Sequence, residues 1–191
     1  MTVNRRLRTA AAASALATLL ASEAAGADAA TVLRPSTREA WYMGGLGPAF
    51  AVTGCGRGGC ARLRGFGSQL NLHNEAGWHL SGGGTGPGIG GAVDLSFFHG
   101  YFRFTPGFRF SWDIPVVDEY AIYVTPSAQA GFSIVDAGPQ GFFNTQFSTA
   151  ARVVINDRAS VFFQPFNMDL NANGDGMFIG WNVLVGGGLT F

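Results

Sequence analysis

The feature that most constrains the fold is a two-residue alternation that runs through most of the chain. In the stretch from Tyr101 to Pro115, one parity is almost wholly apolar and the other carries charged and small polar side chains. The apolar set is Phe102, Phe104, Phe108, Phe110, Trp112 and Ile114. A period of two places such sets on opposite faces of an extended strand. The alternation therefore predicts strands with one apolar and one polar face.

The same alternation recurs along the chain, in segments that are separated by turn signals. Clusters of Gly, Pro, Asn and Asp such as GGGTGP, DAGPQG and NANGDG interrupt it, as expected where a chain reverses direction. The register of the seventh segment is the least defined, because Phe162 and Phe163 are adjacent. We predict an all-β meander of eight strands: 41–52, 64–81, 87–98, 102–114, 120–135, 143–155, 159–170 and 178–191.

The N-terminus has the three parts of an export signal. An Arg-rich start is followed by an Ala/Leu run over residues 9–21 and by the small-residue sequence Ala25-Gly26-Ala27, which fits a cleavage site. We predict a signal peptide over 1–27, a periplasmic lead-in over 28–40 and a barrel over 41–191. After residue 27 no apolar run approaches the ~20 residues that a transmembrane helix needs.

An eight-stranded meander can close into two kinds of barrel. A soluble lipocalin-like barrel turns its apolar parity inward, and a transmembrane barrel turns it towards lipid. Charged residues make up 13% of this chain, against about 25% in ordinary soluble domains. The predicted strands also reach the ~9–11 residues that cross a tilted bilayer. We therefore expect an eight-stranded antiparallel up-and-down transmembrane β-barrel, with a soluble periplasmic lipocalin-like carrier as an alternative.

Aromatic residues near the segment ends support the membrane interpretation, because interfacial aromatics form girdles around such barrels. These residues are Trp41, Tyr42, Tyr101, Trp112, Tyr120, Trp181 and Phe191.

The last strand, NVLVGGGLTF, alternates and ends on Phe191. It resembles the terminal strand of bacterial outer-membrane β-barrels, and the predicted chain resembles the small OmpX- and OmpW-type barrels in strand count and topology. The resemblance implies an outer-membrane location, a lipid environment, periplasmic termini and Phe191 as an assembly signal read by the barrel-assembly machinery. It implies no particular activity.

Charged residues of the polar parity are candidates for the barrel interior. Because unpaired buried charge is costly, we predict a salt-bridged filler that fixes the register, with Asp94 and Glu75 as the expected partners of Arg103 and Arg109. A narrow conduction or proton path is the alternative, and Asp169 belongs to the set if its strand keeps register. The predicted network consists of His73, Glu75, His79, Asp94, Arg103, Arg109, Asp113 and Arg152.

The two cysteines of the chain, Cys55 and Cys60, fall in the first loop. An exported chain meets an oxidising compartment, where an even number of cysteines favours disulfides. We predict a Cys55–Cys60 disulfide that closes this loop.

Other functional classes find little support in the sequence. The 12 basic and 12 acidic residues form no basic patch, so we expect no nucleic-acid binding. His73, Glu75 and His79 share one parity and could hold a metal or act in catalysis, but no G-x-S-x-G motif accompanies them. DLNANGDG begins like a calcium loop, but its twelfth position is Gly180 instead of Glu. We expect a monomer without cofactor or metal and with a structural or passive role, small-solute passage included; a lipid-modifying barrel enzyme is the alternative.

Overall fold

A closed antiparallel sheet forms the body of the chain. The computed structural model describes residues 33, 36–56, 59–61, 69–97, 102–117, 120–136 and 140–191. The strands are β1 Ala40–Gly56, β2 Gly59–Ala61, β3 Gln69–His79, β4 Gly86–Phe97, β5 Phe102–Val117, β6 Ile122–Val135, β7 Gln140–Ile155, β8 Ala159–Asn173 and β9 Gly176–Thr190. From β3 to β9 each strand pairs with the next one in the chain, and β1 pairs with both β3 and β9 to close the ring, while the short β2 pairs with β1 outside it. The predicted eight-stranded barrel is thus confirmed.

Several strands extend further than the sequence predicted. Pairing continues into the Gly- and Asn-rich ends, so that Asn173 faces Gly176 across a two-residue turn. This extension supplies partners to backbone groups that would otherwise be unpaired. The predicted signal peptide, most of the lead-in, residues 64–68 and Tyr101 lie outside the described residues. Within the described ranges, no helix has the length and apolar character to cross a membrane.

The two faces of the sheet are opposite to those of a soluble barrel. In β5 the side chains of Phe108, Phe110 and Trp112 are exposed on the outside, whereas Arg109 and Asp113 are buried inside. Phe108 is 79% exposed and Arg109 is 7% exposed. An apolar exterior around a polar interior is the arrangement expected of a barrel in lipid.

A bulge in β8 explains why its register was hard to predict. Pro165 and Phe166 are both exposed, so that the inward parity changes between Gln164 and Asn167. The register shifts against both neighbouring strands at this point. Pro165 has no N–H group for the sheet ladder, which is why proline is found at bulges. The adjacent Phe162 and Phe163 do not break the alternation, because Phe162 is buried and Phe163 is exposed.

Trp41 lies inside the barrel, although the sequence pattern places it in the outer aromatic girdle. Its side chain is 5% exposed, and its ring centroid lies 4.6 Å from that of His79. A Cβ atom at Gly77 or Gly88 would overlap the indole ring, so these two inward glycines make the space for it. Together with Met43, Ala150, Phe162 and Leu184, Trp41 forms an apolar cluster in the interior.

The end of the lead-in is attached to the turn between β7 and β8. The backbone N–H of Thr37 donates to Asp157 Oδ1 at 2.8 Å, and Arg38 Nε lies 3.6 Å from Asp157 Oδ2. The buried Ser36 hydroxyl donates to Thr190 Oγ1 at 3.1 Å. The lead-in has no strand pattern, and no feature of the sequence predicted these long-range contacts.

Candidate functional site in the barrel interior

The structure places all eight residues of the predicted network inside the barrel. Each is at most 7% exposed, and Asp169 joins them because the β8 bulge directs it inward. Four carboxylates therefore meet three guanidinium groups, an excess of one negative charge. The carboxylates belong to Glu75, Asp94, Asp113 and Asp169, and the guanidinium groups belong to Arg103, Arg109 and Arg152.

The central group joins His73 and Glu75 of β3 to Asp94 of β4 and Arg109 of β5. Arg109 Nε lies 2.6 Å from Glu75 Oε2. His73 contacts a carboxylate with each ring nitrogen, Nδ1 at 2.8 Å from Asp94 Oδ1 and Nε2 at 3.1 Å from Glu75 Oε2. Ionised carboxylates only accept hydrogen bonds, and both imidazole nitrogens donate only in the imidazolium form. A charged His73 fits this geometry and balances the excess carboxylate.

Three amide side chains complete the environment of Asp94. Gln146 Nε2 donates to Asp94 Oδ2 at 2.9 Å, Gln129 Nε2 donates to the same oxygen at 3.2 Å, and Asn71 Nδ2 donates to Oδ1 at 3.3 Å. The buried carboxylate is thus hydrogen-bonded on both oxygens, as buried charge requires. The sequence placed Asn71, Gln129 and Gln146 on the polar parity but gave no reason to single them out.

A second group surrounds Asp113 of β5. Arg152 Nη1 lies 2.5 Å from Asp113 Oδ2, and His79 Nε2 lies 2.9 Å from the same oxygen. The Thr125 hydroxyl donates to Asp113 Oδ1 at 2.6 Å. The Trp41 ring covers His79 from one side. This group thus combines one ion pair with an aromatic ring that packs against His79.

A third group pairs Arg103 with Asp169, whereas the sequence suggested Asp94 or Glu75 as its partner. Arg103 Nη1 lies 2.6 Å from Asp169 Oδ2. Asn144 Nδ2 and Asn171 Nδ2 both donate to Asp169 Oδ1, at 2.5 Å and 2.9 Å. For Arg103 the expected partners were wrong, because the expectation considered strands near β5 in the sheet, while the residues of a narrow barrel also meet across the lumen.

A small cavity separates the central group from the Asp113 group. It measures about 10 Å³ and is lined by Glu75, Arg109, Arg152, Phe162 and Gln164 among others. Such a volume holds about one water molecule. Arg152 Nε, Arg152 Nη2 and Gln164 Nε2 are buried without a protein hydrogen-bond partner. The space and the free donors suit one bridging water molecule.

The calcium-like stretch serves the fold in other ways. Asp169 and Asn171 point inward and hydrogen-bond with Asn144, and Asn173 Oδ1 accepts from the N–H groups of Asp175 and Gly176 in the turn. Within the described part of the chain, no three His, Cys, Asp or Glu side chains are grouped so that they could hold a metal ion.

The two cysteines occupy facing positions where β1 and β2 form a hairpin beyond the barrel. Cys55 is the register partner of Cys60, and the described residues include no free cysteine. This register brings the two positions together, as the predicted disulfide requires. That the disulfide forms in the cell envelope stays a prediction.

Phe191 lies at the closure of the barrel. Its backbone N–H donates to the carbonyl of Ala40 at 2.8 Å, and its side chain is 61% exposed. The last residue thus helps to join β9 to β1 and presents its ring to the outside.

Solved structures of small outer-membrane barrels are similar to this chain. Neisserial surface protein A matches with a TM-score of 0.61 and 8% identity, covering 80% of this chain and 97% of its own. The N-terminal β-barrel domain of Pseudomonas aeruginosa OprF matches with a TM-score of 0.51 and 8% identity, covering 82% of this chain and 100% of its own. No family model and no curated protein sequence matches the chain. At these identities the likeness shows the fold alone.

Proposed function

We propose that the chain is an integral barrel protein of the bacterial outer membrane with a structural or passive role. The observation that carries the proposal is the inverted distribution of side chains. Ion pairs such as Arg109–Glu75 fill the interior, while rings such as Phe108 and Trp112 cover the exterior. A soluble lipocalin-like carrier needs an apolar interior for its ligand, and this interior is charged.

The packed lumen supports filler over a conduction path. The four carboxylates, the three guanidinium groups and His73 are each at most 7% exposed, and their charges cancel when His73 carries a proton. An eight-stranded barrel is just wide enough for its side chains to fill it. Steady passage of solutes would require the Arg109–Glu75 and Arg152–Asp113 pairs to separate.

A lipid-modifying activity has less support than a passive role. His73 and Glu75 are both buried, and each contacts a charged partner. Neither ring nitrogen of His73 is left to act on a substrate, and a lipid ester lies on the other side of the barrel wall. The favoured role is therefore that of a filled, non-catalytic barrel.

Planar bilayer recording tests the passive role directly. Purified protein, refolded and checked for its folded gel mobility, is added to a bilayer and compared with an open porin as a positive control. We expect no steady single-channel current. Steady currents whose ion preference changes in Arg109→Ala would contradict the filled interior and favour a conduction path.

We further propose that Phe191 is the signal for the barrel-assembly machinery. Its exposed ring and its position on the closing strand support this role. Phe191→Asp is expected to accumulate in the periplasm or to be degraded, whereas the matched control Phe191→Tyr keeps an aromatic ring and is expected to insert. Normal membrane levels of Phe191→Asp would show that the terminal ring is incidental.

A further inference from the structure

The outer surface of the barrel carries one side chain that is poorly suited to lipid. Among the strand residues whose side chains the structure describes, Asn74 is the one amide or charged group that points outward. It lies in the middle of β3, with Leu70 and Leu72 on one side and Ala76 and Trp78 on the other. Trp78 is roughly 13 Å away along the strand. An amide that faces lipid is costly unless it finds a hydrogen-bond partner.

The hydrogen-bonding capacity of Asn74 is only partly used. The Tyr42 hydroxyl donates to Asn74 Oδ1 at 2.8 Å. An amide oxygen has two lone pairs and the NH2 group has two donors. The Nδ2 group has no partner among the described residues. One acceptor site and two donors remain, which is the set that a second asparagine amide complements.

Several residues next to Asn74 on the outer surface have small side chains or none, so that another barrel can approach this amide closely. Gly44 is the register partner of Asn74, and a Cβ atom there would lie 3.6 Å from Asn74 Oδ1. Ala76 and Gly91 are paired in the next row, and nothing lies within 4 Å of a Cβ atom at Gly91. Small residues at membrane interfaces allow backbones to come together and polar side chains to bond across.

We propose that this surface binds a second copy of the chain within the membrane, with the two Asn74 amides paired across a two-fold axis. We call it the Asn74 face and define it by Tyr42, Gly44, Asn74, Ala76 and Gly91. At a two-fold axis a residue meets its own copy, and asparagine is self-complementary in donors and acceptors. The inference rests on the proposed membrane location, because only hydrocarbon leaves the amide without water. It replaces the monomer expected from the sequence.

Site-specific photo-crosslinking in the envelope tests this interface. A benzophenone side chain is introduced at Leu72, which points outward next to Asn74. The control probe replaces Val153 on β7, on the opposite side of the barrel. We expect a crosslinked species of twice the chain mass from the Leu72 probe and none from the Val153 probe. Asn74→Leu is expected to abolish this species, whereas Thr145→Val, which removes an outward hydroxyl on β7, is expected to leave it unchanged.

The outcomes separate this inference from the proposed function. Each variant is first checked for heat-dependent gel mobility in washed membranes, because loss of that property would count against the membrane barrel itself. Folded membrane protein that gives no dimer from the Leu72 probe would overturn the Asn74 face. So would a dimer that persists in Asn74→Leu, or a Leu72 crosslink to lipid or to a partner of another mass.

Discussion

Arg109 lies against Glu75 in the middle of the barrel, with Nε 2.6 Å from Oε2. The two residues come from β5 and β3, which are separated in the sheet by β4. Both side chains are buried, so their attraction is screened little by water. The pair therefore joins two strands that are not adjacent in the sheet, and it helps to set the register of β3, β4 and β5.

Loss of this pair is expected to destabilise the barrel strongly. Arg109→Ala removes the cation that lies 2.6 Å from the Glu75 carboxylate, and removing one partner of a buried pair costs roughly 3–5 kcal/mol. Urea unfolding, followed by the folded gel mobility, measures the change against Thr145→Ala on the outer face. A loss below about 1 kcal/mol would indicate a hydrated, screened pair and an interior that is wet.

The partner of Arg103 can be identified by double-mutant cycles. We expect Arg103→Ala and Asp169→Ala to be coupled by about 0.5–3 kcal/mol, the range for residues in contact. Arg103→Ala and Asp94→Ala should be coupled more weakly, because Ser96 and Asn71 lie between them. A larger coupling energy for Asp94 than for Asp169 would restore the pairing expected from the sequence.

The attachment of the lead-in depends on the Asp157 side chain. Asp157 has a positive φ of 61°, so Asp157→Gly keeps the backbone conformation and removes the acceptor of the Thr37 N–H. Trypsin cleavage after Arg38 in the folded protein is expected to rise about fivefold, since a hydrogen bond contributes about 1 kcal/mol. Asp157→Asn retains the Oδ1 acceptor and should stay close to wild type. Equal cleavage of the Gly variant and wild type would show that these contacts do not hold the segment.

The facing positions of Cys55 and Cys60 predict thiols that are protected until they are reduced. Protein taken from the envelope should resist alkylation without reductant and react at both positions after reduction. Cys55→Ser should still fold, because so short a loop gains less than the ~3 kcal/mol of a 15-residue loop. Immediate labelling of both cysteines in unreduced protein would exclude the disulfide.

The sequence was sufficient to predict the wall of the barrel because the strand period is local. Alternation alone assigns residues such as Arg109 and Phe110 to opposite faces of a strand. The same rule failed for Trp41, whose inward position depends on Gly77 and Gly88 of other strands. An aromatic residue at a strand end is compatible with either face, and only the space available in the lumen decides between them.

The contacts inside the barrel could be predicted only in part. Glu75 was one of the two expected partners and pairs with Arg109, whereas Arg103 pairs with Asp169, far along the chain. The second pairing depends on the bulge at Pro165, which reverses the parity of the rest of β8. Alternation places Asn74 on the apolar parity of β3, but the contact of its amide oxygen with the Tyr42 hydroxyl became visible only in the structure.

One fractionation shows whether the barrel lies in the outer membrane with its apolar face in lipid. Envelopes are washed with alkaline carbonate, and the retained protein is run on detergent gels with and without heating. We predict that the protein stays in the washed outer-membrane fraction and changes its mobility on heating, because a closed barrel resists detergent until it is boiled. Folded protein in the soluble fraction, with the same mobility before and after heating, would exclude an outer-membrane barrel.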